Sequence, residues 1–395
     1  MNQVTLRPHQ TKTVKAMLYH KKGQVIVPTG GGKTMCMISD AINEFTRTNI
    51  SQTIVVVAPR ILLAQQLCEE FLEQIKNVDV LHVHSGETHH TSTTKVDKIR
   101  EFNYQTACNN RNLLIFTTYH SLHKIQESNI VVDTVYFDEA HNSTAKNFFP
   151  SVEHYSKDAD RCYFFTATPK HSLTPHKAGM NDEDIFGQVI CNVPAPKLVE
   201  EGYILPPKVV VKKIDAIDDS RFKYEHECEH VLSTIDDHNT DKILICAKST
   251  KQITQLVSLT DFVDQLSTRG YSYMYITSKT GAIINGKKVS REEFFNVLNA
   301  WGKGDERFVV LHHSILSEGI NVKGLETVLF LRNMDYIGIS QTIGRVIRTG
   351  KKEKTYGLIC VPVCGKVGIS TAKKVEAVVC TVFEKGEPAV SVVRK

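Results

Sequence analysis

The feature that most constrains the fold is a recurrence of short, nearly uninterrupted apolar runs rich in β-branched residues. They fall at Gln24–Val27, Thr53–Ala58, Leu113–Thr117, Thr134–Phe137 and Cys162–Thr166. They return at Lys208–Val211, Ile243–Ala247, Tyr273–Thr277, Phe308–Leu311, Val328–Leu331 and Gly357–Val361. A strand covered on both faces needs apolar residues on both sides, so continuous runs predict parallel strands buried between helices. The intervening stretches carry helical spacing. Leu63, Leu67, Phe71 and Ile75 of Ile61–Ile75 lie on one helical face. This alternation predicts an α/β fold with parallel β-sheets flanked by helices.

The 395 residues suffice for two or three domains with substantial cores. Prolines 194, 196, 206 and 207 interrupt the pattern and predict a boundary near residue 200, giving domains 1–200 and 201–395. His84–Asn112 is polar and weakly periodic, which predicts a surface insertion with some helix. Thr371–Phe383 is expected to form one closing helix.

A glycine-rich segment follows the first run: Gln24-Val-Ile-Val-Pro-Thr-Gly-Gly-Gly-Lys-Thr34. Strand, glycine loop and helix start succeed one another. Thr29, Gly30, Gly31 and Gly32 would fold the backbone so that successive N–H groups point inward at an anion. The helix N-terminus adds partial positive charge. Lys33 would reach the β- and γ-phosphates of a nucleotide, and the Thr34 hydroxyl would face Mg²⁺. The usual loop pattern begins with glycine where this chain has Val27.

A second apolar strand, within Asp133-Thr-Val-Tyr-Phe-Asp-Glu-Ala-His141, ends on an acidic pair. Ligands gather at the carboxyl ends of strands in open parallel sheets. There Asp138 could hold Mg²⁺ through its water shell, and Glu139 could orient or deprotonate an attacking water. Taken alone, such a pair is ordinary solvated turn chemistry. It gains weight from the phosphate loop upstream.

These residues, in this order, resemble the superfamily 2 helicases on the DEAH side, among them phage or viral helicases and restriction-enzyme subunits. Leu6-Arg-Pro-His-Gln10 is similar to the segment that reads adenine, which implies nucleotide contacts for Arg7 and Gln10. Val55–Arg60 resembles motif Ia and Thr117–Leu122 motif Ib. Asp138-Glu-Ala-His141 spells the DEAH box, and Thr166-Ala-Thr-Pro169 resembles motif III. Ser317–Val322 resembles motif V, with the role of Glu318 left open, and Gln341-Thr-Ile-Gly-Arg-Val-Ile-Arg348 resembles motif VI. The resemblance implies two tandem RecA-like domains with ATP and Mg²⁺ in the cleft between them. It also implies that motif III couples hydrolysis to domain movement and that His141 links the ATP site to motif VI.

Gln341, Arg345 and Arg348 fall at i, i+4 and i+7 and are expected on one helical face. Isolated, that pattern is a solvated basic face. Facing a triphosphate, planar guanidinium groups would act as fingers worth about 10³–10⁵ in turnover.

By the same resemblance a nucleic-acid strand would cross both domains, held mainly by its backbone. Candidate contacts are Arg60, Thr117, Thr118 and Tyr119, then Lys248, Ser249 and Thr250, then Ser278 and Lys279. Each is equally readable as a loop polar group. No basic run with interleaved aromatics appears, so binding is expected to be largely independent of sequence, with DNA favoured over RNA. The net charge of +5 permits such a partner without demanding one.

Other classes recede. No apolar stretch is long enough to span a membrane, and Met1–Gln10 lacks a secretory segment. The ten cysteines contain no C-x-x-C, and Cys360 and Cys364 read as strand thiols. Histidines 89, 90, 312 and 313 have no cysteine or carboxylate at ligand spacing, so a metal site is not expected there. An intracellular, cytoplasmic setting is expected, the host cytoplasm if the gene is viral. Three functions stay open: a nucleic-acid-stimulated ATPase that translocates or unwinds; the motor subunit of a restriction or repair complex; and an ATP-gated clamp without unwinding. Accessory replication or recombination proteins are expected as partners. A small-molecule kinase would leave Gln341–Arg348 unexplained.

Overall fold

Every apolar run named above becomes a strand. The computed structural model describes residues 5–215, 219–313, 324–350, 354–364 and 368–394. The Ser317–Val322 segment, with Glu318, lies outside the described residues. The chain divides into two compact units, Met1–Pro194 with Pro388–Lys395, and Ala195–Glu387.

In the first unit, α1 (Pro8–Tyr19) precedes β1 (Lys22–Ile26), α2 (Lys33–Arg47), β2 (Thr53–Ala58), α3 (Ile61–Gln74), β3 (Val78–Val83), α4 (Val96–Cys108) and β4 (Asn112–Thr118). There follow α5 (Leu122–Glu127), β5 (Thr134–Phe137), α6 (Phe149–Asp158), β6 (Arg161–Thr166), β7 (Lys170–Ser172), α7 (Glu183–Phe186) and β8 (Val189–Asn192). The main sheet runs β3-β4-β2-β5-β6-β1-β8, and every pairing in it is parallel. All six residues of β2 are buried, as a central strand with both faces covered requires. Val55, Val57, Leu113, Ile115, Val135, Phe137 and Phe164 meet in one core cluster, with Leu122 and Ile125 of α5 and Val152 and Tyr155 of α6.

The second unit holds α8 (Ala195–Glu200), β9 (Pro207–Ile214), α9 (Lys223–His238), β10 (Lys242–Cys246), α10 (Thr250–Leu259), α11 (Phe262–Thr268), β11 (Ser272–Thr277), β12 (Gly281–Ile284) and β13 (Lys287–Val289). It continues through α12 (Arg291–Lys303), β14 (Phe308–His312), β15 (Thr327–Phe330), α13 (Tyr336–Val346), β16 (Gly357–Cys364) and α14 (Ile369–Val379). Its sheet runs β13-β12-β11-β14-β10-β15-β16-β9. The expected closing helix is α14, extended by a π-helical turn over Cys380–Glu384. The chain then returns to the first unit, where β17 (Ser391–Val393) pairs in parallel with β7. Among the described residues no helix is long and apolar enough to cross a membrane.

Two departures have identifiable causes. The second sheet is not wholly parallel, because β11–β12–β13 form an antiparallel edge. The two residues joining β12 to β13, Asn285 and Gly286, have φ of 44° and 78°. An Asn-Gly pair with both φ positive suits a tight hairpin, so the signal was present in the sequence. In the first unit, the stretch expected as an insertion does contain α4, but its first residues lie against a full strand, β3, that the apolar runs do not reveal. Asp79 and His82 break that pattern. Asp79 is held by Arg111 Nε at 2.7 Å and by the Thr106 hydroxyl at 3.0 Å, while His82 bonds to His84 at 2.9 Å.

Candidate nucleotide site and nucleic-acid face

Strand β1 delivers the chain into the glycine loop. The Val27 amide still belongs to the sheet and donates to Thr166 O at 3.0 Å. The loop then turns, with Gly31 N on Pro28 O at 2.9 Å. Gly30 and Gly32 have φ of 87° and 82°, a region costly for residues with a Cβ. Gly32 also caps α2, so the helix begins at Lys33 with its free amides facing the loop. A Cβ at Gly32 would stand 2.4 Å from Gln10 Nε2.

Helix α1 braces this loop from outside. His9 Nε2 lies 2.7 Å from Gly31 O, and Gln10 Nε2 donates to Gly32 O at 3.2 Å. Gln10 Oε1 accepts from the Arg7 amide at 2.9 Å, which ties the entry of α1 to the same contact. His9 was not among the residues expected at the site. It neighbours Gln10 in sequence, and only the fold shows it reaching the loop.

The acidic pair arrives from the neighbouring region of the sheet. Strand β5 ends at Phe137, and Asp138 N donates to Val57 O at 2.9 Å. Glu139 then takes φ +46°, a strained value for a residue with a side chain. This kink turns the Glu139 carboxylate toward the glycine loop, where Lys33 Nζ donates to Oε1 at 3.3 Å. Loop lysine and acidic pair are therefore in direct contact. Burial, together with the negative charge of Glu139, raises the Asp138 carboxyl to about 7, partly offset by Lys33.

The donor set suits a magnesium nucleotide. Thr34 offers a hydroxyl and Asp138 a carboxylate, both hard oxygen ligands. Lys33 supplies the positive charge. Thr29 Oγ1 is buried and has no hydrogen-bond partner among the described residues, a polar atom in the loop still to be satisfied.

His141 sits between the acidic pair and the end of β6. Its Nδ1 lies 3.2 Å from Thr166 Oγ1, 3.5 Å from Thr168 Oγ1 and 3.6 Å from Glu139 Oε2. The DEAH segment and the T-A-T-P segment are thus joined through one imidazole.

The motif VI segment needs correction. Helix α13 ends at Val346, so Gln341 and Arg345 share a helical face but Arg348 does not. Arg348 lies beyond the helix, in an isolated antiparallel bridge with Ile204, next to a bond from Leu205 N to Ile347 O at 2.6 Å. That bridge pulls the chain out of the helix two residues before Gly350. Arg345 is buried in the second unit, near Cys246 and His312.

Three expected nucleic-acid contacts are also corrected. Thr117 is fully buried and donates to Val83 O at 2.8 Å. Thr118 is buried, with its hydroxyl on Ser121 Oγ at 3.4 Å. Tyr119, 2% exposed, stacks on Phe137 at 6.0 Å between ring centroids and donates to Asp138 O at 2.9 Å. Strand β4 runs on to Thr118, so these side chains are core, not loop. Arg60, Lys248, Ser278 and Lys279 are exposed, while Ser249 and Thr250 are partly exposed. Ser249 Oγ is engaged as the cap of α10, accepting from Gln252 N at 3.1 Å.

Comparison with known proteins follows the same lines. Residues 3–171 match the family described as "Type III restriction enzyme, res subunit", and residues 224–350 match "Helicase conserved C-terminal domain". No curated protein matches the chain. Among solved structures, the ATP-dependent Type ISP restriction-modification enzyme LlaBIII bound to DNA aligns at a TM-score of 0.77 with 16% identity, over 100% of this chain and 31% of that one. A nuclease-deletion mutant of the Type ISP restriction-modification enzyme LlaGI, in complex with a DNA substrate mimic, aligns at 0.68 with 19% identity, over 98% and 30%. The chain thus spans about a third of the length of either enzyme, and at these identities the likeness is one of fold: two tandem RecA-like domains. Matched in this order, the two family models support a superfamily 2 helicase of restriction-subunit type.

Proposed function

We propose that the chain is an ATP-driven motor that hydrolyses ATP and moves along nucleic acid, DNA in preference to RNA. The observation that carries this reading is the 3.3 Å contact between Lys33 and Glu139, which joins a phosphate-binding lysine to a carboxylate able to position water. Lys33, the loop amides of Gly30–Gly32 and Thr29 would bind the phosphates. Thr34 and Asp138 would hold Mg²⁺, which neutralises phosphate charge when bound. Arg7 and Gln10 would face the base, the Gln10 amide leaving Gly32 O to do so. A triphosphate draws Lys33 toward itself, and this releases Glu139 to orient the attacking water.

The test is ATP hydrolysis with and without single-stranded and duplex DNA and RNA. Stimulation by polynucleotide is expected, with turnover abolished in Lys33→Ala and Glu139→Gln. Equal rates with and without every polynucleotide would overturn the reading.

A second reading, the motor part of a restriction or repair assembly, is favoured by the neighbours' printed descriptions and by their threefold greater length. Co-purification with a nuclease would support it. A strand-displacement assay beside a translocation assay separates an unwinding motor from a translocase or clamp.

A further inference from the structure

Unit 2 presents an edge hairpin whose basic side chains have no carboxylate partner among the described residues. Lys279 precedes β12, Lys287 and Lys288 lie on β13, and Arg291 opens α12; all four are exposed. None of the four forms an ion pair among the described residues. Other arginines of the same unit do, Arg221 with Asp219, Arg269 with Asp236 and Arg307 with Asp241. Arg291 instead lies over the Phe295 ring at 5.8 Å. Glu292 and Glu293 follow in the first turn of α12, and Glu293 gives its amide to the Ser290 cap.

The hairpin is held rigidly. Its Asn285 donates to Tyr273 O at 3.0 Å, accepts from Tyr273 N at 2.8 Å and reaches Ser272 Oγ at 3.2 Å. Gly281, φ +75°, reverses the chain opposite Thr277, and Lys288 Cε would pass 3.5 Å from a Cβ there. Lys279 and Lys288 therefore flank one point, at the carboxyl end of β11. That is the end of the parallel sheet where Lys248 also emerges from β10.

Two roles fit lysines on an edge strand. They can guard the exposed backbone against another strand, or they can bind phosphates. A guard needs charge on β13 alone, and β13 has it in Lys287 and Lys288. It does not account for Lys279 and Arg291, which lie outside that strand on the connections at its carboxyl-end rim. We propose that this hairpin, through Lys279, Lys287, Lys288 and Arg291, grips the phosphate backbone of the nucleic acid on which the motor acts. The inference rests on the motor reading and adds Lys287, Lys288 and Arg291 to the Lys279 already expected as a contact. Contacts of this kind are ionic and carry no base preference.

The experiment is binding of a fluorescein-labelled single-stranded 20-mer, DNA and RNA in turn, over a range of salt. The wild-type chain is compared with Lys287→Glu/Lys288→Glu and with Lys279→Gln/Arg291→Gln. Glutamate keeps β13 charged, so edge protection survives while phosphate contact is reversed. For each lost contact the slope of log Kd against log salt should fall by about 0.7. The dissociation constant at moderate salt should rise about tenfold or more in the glutamate variant. An unchanged slope and affinity in both variants, while the wild type binds, overturns the hairpin's role and leaves the motor reading standing. A wild-type chain that binds neither polymer counts against the motor reading itself.

Discussion

The buried phenol of Tyr119 donates to the main-chain oxygen of Asp138 at 2.9 Å and accepts from Ser143 Oγ at 3.3 Å. One side chain at the end of β4 thus holds both sides of the turn in which Glu139 adopts φ +46°. A strained backbone persists only where its surroundings over-determine it.

Tyr119→Phe should therefore cost about 1–2 kcal/mol of stability, by leaving a buried carbonyl without its donor. It should also lower ATP turnover, because the turn that aims Glu139 loosens. Affinity for nucleic acid in the absence of nucleotide should not change, since the ring is inside. Urea titration, ATPase rate and oligonucleotide binding check the three parts. A drop in oligonucleotide affinity alone would restore Tyr119 to the surface role its motif suggests.

Gly32→Ala combines two penalties: a positive φ of 82° and a Cβ 2.4 Å from Gln10 Nε2. The backbone part alone is about 1–2 kcal/mol. Nucleotide affinity should fall by at least tenfold, measured with a fluorescent ATP analogue. Adding Gln10→Ala removes the clash but not the strain, so stability in urea should recover only in part. Full recovery would show that the contact with Gln10, not the left-handed backbone, fixes the loop.

These residues also show what could be read from sequence. Runs such as Thr53–Ala58 and Thr134–Phe137 announced their strands because burial on both faces leaves no room for polar residues. The glycine loop and acidic pair could be singled out because their residue types and spacings are distinctive, and the fold brings Lys33 to Glu139. What escaped depends on tertiary partners. Strand β3 hid behind Asp79 and His82, whose polarity is satisfied by Arg111, Thr106 and His84. Thr117–Tyr119 looked like a polar loop because nothing local says that β4 continues inward. Arg348 looked helical because spacing cannot foresee a bridge to Ile204, far back in the chain.

A buried ionic cluster ties α2, the helix that begins at Lys33, to the sheet. Arg161 of β6 grips Asp40 with two nitrogens, at 2.9 and 2.7 Å, and meets Glu44 at 2.9 Å; Tyr136 donates to Asp40 at 2.6 Å. Arg161→Met would leave the buried Asp40 carboxylate with no cation, while Glu44 keeps Arg47 at 2.6 Å, and should cost about 3–5 kcal/mol. Adding Asp40→Asn should recover part of that loss, since less uncompensated charge remains. A double-mutant cycle by urea unfolding measures the coupling. Additive effects would mean that the two side chains do not act as a pair.

The first unit should weaken in mild acid through His82. This side chain is fully buried, bonds to His84 at 2.9 Å and stacks on Phe116 at 5.6 Å and on His90 at 5.7 Å. Burial first, then the neighbouring His84 and His90, lower its pKa from 6.5 to about 4. The unfolded chain therefore takes up a proton below pH 6.5 that the folded chain refuses until about pH 4. Stability is fully present above 6.5 and is lost as pH falls between these values. The loss from this group alone should reach about 2 kcal/mol by pH 5. Urea midpoints at pH 7 and pH 5 measure it, and His82→Gln, which cannot titrate, should show a correspondingly smaller drop between the two. An equal drop in both proteins would place the acid sensitivity elsewhere.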